Sequence, residues 1–130
     1  MNEYFNSPEG LPPATGFSHA AAGRGRVVTI SGQLPLDENG VLVGAEDGLA
    51  QARQVFKNLE TALAAAGAGP ADVVKIGIYV LGFADLALVR QARDEFVGDS
   101  TPPASTLVQV AGLIVPGARL EVDAIAITTD

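Results

Sequence analysis

Val73-Val74-Lys75-Ile76-Gly77-Ile78-Tyr79-Val80-Leu81 is too rich in β-branched residues to favour a helix. Val74, Ile76, Ile78 and Val80 share one face at the two-residue period of a strand. A central strand is predicted here, and its neighbours set the architecture. Upstream, helix formers run from about Glu46 to Ala66, with Leu49, Ala52, Phe56, Leu59 and Leu63 recurring every three or four residues, as on one long amphipathic helix. Gly67, Gly69 and Pro70 end it, because glycine accommodates a left-handed cap and proline cannot continue the ladder. Downstream, Asp85 is placed to cap a second helix with a buried stripe of Leu86, Val89, Ala92 and Phe96, ending near Gly98. Beyond Thr101-Pro102-Pro103, Ser105 to Ala111 reads as a strand and Arg119 to Thr128 as the closing one.

Toward the N-terminus, Val27 to Ser31 reads as a strand, Asp37-Glu38-Asn39-Gly40 as a turn and Val41-Leu42-Val43 as a short strand. Residues 1–18 form an N-terminal arm. Its stretch from Asn6 carries three prolines and two glycines, so regular structure is expected only after it. The resulting order is β-β-α-β-α-β-β in a single α+β domain spanning 1–130. Two helices cover one sheet face and leave the other needing a partner.

With 130 residues and 48% hydrophobic content, the chain can bury one core but not two ordinary ones. A net charge of -7 disfavours attraction to phosphate backbones and anionic membranes, so neither nucleic acid nor membrane is expected as a partner. Without cysteine there is no disulfide, thiolate nucleophile or Cys-based zinc site. His19 alone is too little for a histidine-rich site, so no metal is expected. Met1-Asn2-Glu3-Tyr4-Phe5 lacks the pattern of a secretory signal, and a cytoplasmic location is expected.

Two further stretches carry a resemblance. Pro103-Ala104-Ser105-Thr106-Leu107-Val108 is followed by Leu120-Glu121-Val122-Asp123-Ala124-Ile125-Ala126, and Val28-Thr29-Ile30-Ser31-Gly32-Gln33-Leu34-Pro35 stands near the start. With Ala65-Ala66-Gly67 and Asp72-Val73-Val74-Lys75 in the same order, the chain resembles the Rid (reactive intermediate deaminase) family, also called YjgF or L-PSP endoribonuclease-like proteins. The resemblance runs from about Phe17 to Ile127. It implies a chorismate-mutase-like fold and a homotrimer whose sheets pack into a barrel, with sites at the subunit clefts. It further implies hydrolysis of reactive imines or enamines, formed from amino acids by pyridoxal phosphate enzymes, to carbonyl compounds and ammonia without a cofactor.

In that chemistry an arginine grips a substrate carboxylate while a glutamate hydrogen-bonds water or relays a proton. The glutamate maps to Glu121, which alternation places on the same strand face as Asp123. The arginine's position is Ser105, whose hydroxyl offers no fixed cation. Arg90, where many members carry an asparagine, is the leading replacement, and Arg93 stands in place of a common tyrosine. Phe17 replaces a frequent tyrosine and keeps an aromatic wall, Ser31 and Gly32 lie near the family's site, and Leu107 replaces a small residue or cysteine. The expected substrate-binding set is thus Phe17, Ser31, Gly32, Arg90, Ser105 and Leu107, with Glu121 catalytic.

Two functions follow from this set. One is imine or enamine hydrolysis on a substrate that departs from the usual one because Ser105 lacks the cation; the other is non-catalytic binding of a small molecule by the same trimer. Ribonuclease action, attached to the family name, is opposed by the net charge and the single histidine.

Overall fold

The computed structural model describes residues 1–129. Its strands are β1 (Glu3–Phe5), β2 (Ala20–Ala22), β3 (Arg26–Gln33), β4 (Val73–Val80), β5 (Ala104–Gln109) and β6 (Leu120–Thr128), and its helices are α1 (Gly48–Ala65) and α2 (Leu86–Val97). β3, β6, β4 and β5 form one sheet in that order, antiparallel at the first two junctions and parallel between β4 and β5, while β1 and β2 form an antiparallel pair. The expected α+β architecture is observed.

α1 starts where Asp47 accepts from the Ala50 amide at 3.1 Å, satisfying one of the unpaired donors of the first turn. It ends in a left-handed turn at Gly67 (φ +76°), with Gly67 N donating to Ala64 O and Ala68 N to Leu63 O, a closure that glycine favours. α1 and α2 lie on one face of the sheet. Val55, Phe56, Leu59, Leu63, Val89 and Phe96 pack there on Val28, Ile30, Ile76, Ile78, Val80 and Val122. On the other face Val27 and Ile125 remain 62% and 39% exposed, the unpartnered surface expected of a sheet covered on one side.

Three expectations need correction. Regular structure begins before the proline-rich segment, because β1 lies within the arm. Tyr4 Oη donates to Val73 O at 2.9 Å, and Asn2 Nδ2 donates to Asp72 O and Ile127 O at 3.2 and 3.1 Å, long-range bonds that a local reading cannot see. Val41–Val43 forms only an isolated bridge, Leu36 to Leu42, since Asp37 Oδ1 accepts from the amides of Asn39 and Val41 and holds the segment as a turn. Asp85 makes no cap bond to α2; its carboxylate accepts from Arg119 Nη1 at 3.1 Å.

Gln51 is a buried polar residue inside the stripe of α1. Its Nε2 donates to Gly44 O and Gly117 O at 3.1 and 2.9 Å, and its Oε1 accepts from Arg119 N at 2.8 Å. One amide thereby ties α1 to the loop that precedes it and to the loop that leads into β6, and burial is tolerated because its hydrogen-bonding groups are used.

Candidate functional site

The open sheet face carries the acidic residues. β6 sets Glu121 beside Tyr79 and Asp123 beside Gly77 on β4, and the two-residue period puts both carboxylates on the side away from the helices. The strands flanking β6 leave room for them through glycine. A Cβ on Gly32 would collide with Glu121 Oε2 and lie 2.7 Å from its Cδ; one on Gly77 would lie 2.9 Å from Tyr79 Oη and 3.3 Å from Asp123 Cγ. These are positions where a neighbouring group approaches the backbone closely.

Gly32 reaches this place through an irregularity. Ile30 pairs with Ala124 and Gln33 with Val122, so β3 holds an extra residue against β6 at Ser31-Gly32, a β-bulge that re-aims the chain. Ser31 is exposed there, and its carbonyl accepts from Gln33 Nε2 at 3.1 Å.

Tyr79 Oη donates to Asp123 Oδ2 at 3.1 Å. That hydrogen bond first, then burial and the charges of Asp123 and Glu121, raise the Tyr79 phenol above its ordinary range. Lys75 Nζ is turned to Thr106 Oγ1 at 2.8 Å on the same face. Among the described residues Glu121 itself makes no hydrogen bond or ion pair.

Ser105 and Leu107 belong to the opposite face. They pair with Ile76 and Ile78 of β4, both buried under the helices, and partners in parallel register share a face. The arm lies along this edge. Ser18 bridges Ala104 in parallel, its amide donating to Pro103 O at 3.0 Å and its Oγ to Pro102 O at 2.7 Å. Alternation therefore puts Phe17 and His19, whose rings meet edge-on at 5.3 Å, on the Ser105 side. Arg93 comes to the same seam from α2. Its side chain is 12% exposed, and a Cβ on Gly16 would lie 2.6 Å from its Nη2.

Arg90 is exposed on the outer surface of α2, in a shallow groove with Ala87, Gln91, Asp94 and Glu95. The fold thus joins Glu121 with Gly32 on one face and Phe17 with the Ser105–Leu107 edge on the other; it does not bring Ser105 or Arg90 to Glu121 within one chain. Sequence reasoning had not singled out Tyr79 or Gly77. The available signal was a glycine inside a β-branched strand.

Among the described residues no helix is long and apolar enough to cross a membrane. Residues 8–128 match the family described as Endoribonuclease L-PSP. The chain is 35% identical over 119 residues to the 3-aminoacrylate deaminase RutC of Acinetobacter baylyi, covering 92% of this chain and 93% of that protein. It is 36% identical over 121 residues to the 2-iminobutanoate/2-iminopropanoate deaminase of Salmonella typhimurium, again covering 92% and 93%. The crystal structure of the Rid-family protein YyfB from Yersinia pestis superposes with a TM-score of 0.90 at 38% identity, covering 98% of each chain.

Proposed function

This chain belongs to the endoribonuclease L-PSP family, the Rid or YjgF family of the resemblance, and we propose that it hydrolyses reactive imines or enamines to carbonyl compounds and ammonia. Two relatives at comparable identity bear deaminase names, and the observation that carries the reading is the Glu121 carboxylate set over Gly32 with no partner of its own. A carboxylate so held accepts a proton from water as the water oxygen bonds to the imine carbon. With a protonated imine this gives a carbinolamine; the carboxylic acid returns the proton to its nitrogen, and the carbon–nitrogen bond breaks to release ammonia as the hydroxyl proton is lost to water and the carbonyl forms. For an enamine, the carbon is protonated first.

The binding half of the site is proposed to lie between copies of the chain. Glu121 and the Ser105–Leu107 edge occupy opposite sheet faces, so a second copy is required to bring them together, and a homotrimer also covers the exposed Val27 and Ile125. One copy then contributes Glu121, Ser31 and Gly32, and its neighbour contributes Phe17, Ser105 and Leu107 as a partly apolar wall. Glu121 and Asp123 on one face make the cleft unattractive to a phosphate backbone, so the small-molecule reading is preferred to ribonuclease action.

Sedimentation equilibrium combined with an imine-loss assay tests this. The expected result is a trimer that accelerates decay of imino acids generated in place by an amino acid oxidase. A trimer with no acceleration over buffer across several imino acids would leave small-molecule binding without turnover.

A further inference from the structure

We propose that Arg93 is the carboxylate anchor of this site, doing from α2 what the resemblance assigns to an arginine at the position of Ser105; the inference rests on the imine-hydrolysis reading and names the substrate class as carboxylate-bearing. Arg93 is held at the seam where the arm meets β5. Gly16 (φ +77°) leaves open the volume that the guanidinium fills, with Nη2 and Cζ 2.6 and 3.2 Å from where a Cβ would stand. The backbone conformation and the missing side chain both favour glycine there. Two residues on, Ser18 bridges Ala104, and Ser105 follows directly, so the arm segment that seats the cation at Gly16 runs through Phe17 to the edge that carries Ser105 and Leu107.

The guanidinium is also available. Nε and Nη2 both donate to Asp94 Oδ1, at 3.1 and 3.0 Å, while Nη1 has no hydrogen-bond partner among the described residues. Asp94 is 66% exposed in its side chain, so its carboxylate can turn to water and release the guanidinium to a ligand. With its own side chain only 12% exposed, Arg93 meets an incoming carboxylate where water competes less and a planar fork can bind two oxygens. Arg90, by contrast, is exposed on the outer surface of the helix.

The test compares wild type with Arg93→Met, Arg93→Lys and Arg90→Met, each checked for an unchanged far-ultraviolet spectrum. KM is measured for 2-iminopropanoate and for a carboxyl-free imine, and Kd for 2-oxobutanoate by calorimetry. Arg93→Met is expected to raise KM for 2-iminopropanoate and Kd for 2-oxobutanoate by about tenfold to a hundredfold, the cost of one charged hydrogen-bonded contact, without affecting the carboxyl-free imine. Arg93→Lys, which keeps the charge and loses the fork, is expected to fall between; it remains informative should the methionine variant not fold. Wild-type turnover with both Arg93 variants unimpaired, or a loss that follows Arg90→Met instead, would overturn the anchor and leave the hydrolysis reading standing. Arg93-dependent binding of 2-oxobutanoate without turnover would sink the hydrolysis reading and uphold the anchor. Failure of the wild type to bind 2-oxobutanoate would overturn the anchor outright.

Discussion

The Glu121 carboxylate occupies the volume where a side chain at Gly32 would stand. Two strands that pair through a bulge thus share one small space, and the glycine on β3 determines where the acid on β6 can rest.

Gly32→Ala is expected to push Glu121 off its seat. A displacement of about 1 Å lowers catalytic efficiency by about a hundredfold, with the sedimentation behaviour of the wild type unchanged. Steady-state kinetics on 2-iminopropanoate beside Gly69→Ala, where an added Cβ meets nothing within 4 Å, checks this; equal effects of the two changes would contradict the steric account.

Ser105→Arg is expected to raise activity on 2-iminopropanoate-type substrates, most clearly in the Arg93→Met background, where it returns a cation to the same seam. The readout is recovery of KM in the double variant relative to Arg93→Met alone. No recovery, with the trimer intact, would show that an arginine at 105 does not reach the substrate in this chain.

Tyr79 gives a pH dependence. Its phenol is raised in the folded state by its hydrogen bond to Asp123, so the protonated form is favoured by folding. The resulting stability is fully present below the ordinary phenol value of about 10 and is lost as pH rises through the higher folded value. Thermal melts across this alkaline range should show the wild type losing stability more steeply than Tyr79→Phe. Parallel curves would mean that the bond to Asp123 is not maintained.

Gln51→Ala is expected to destabilise the chain by about 2 kcal/mol, since it empties the buried site of the Gln51 amide and leaves the partly buried Gly44 O, Gly117 O and Arg119 N without their partner. Urea unfolding, monitored at one fixed protein concentration so that any self-association contributes equally, measures the loss.

Much of the fold was legible because it is written in local periodicity. The alternation of β4 and β6 and the stripe of α1 require only neighbours three or four residues away, and the same alternation placed Glu121 and Asp123 together. The missed features depend on contacts distant in sequence. β1 pairs because Asn2 and Tyr4 reach backbone near Asp72, Val73 and Ile127, and Asp85 abandons its cap for Arg119. The seat of Arg93 was hidden for the same reason: helical spacing leaves it at the stripe's edge, and only the fold brings Gly16 over it. Nor could composition show that Ser105 and Glu121 take opposite faces, which follows from the parallel register of β5 with β4.

The most direct test is loss of the imine from amino acid oxidase-generated imino acids, followed with wild type and with Glu121→Ala at matched protein concentration. The account predicts acceleration by the wild type that disappears in the variant. Acceleration that survives in Glu121→Ala would contradict it, because the proton transfers assigned to this carboxylate would then be made elsewhere.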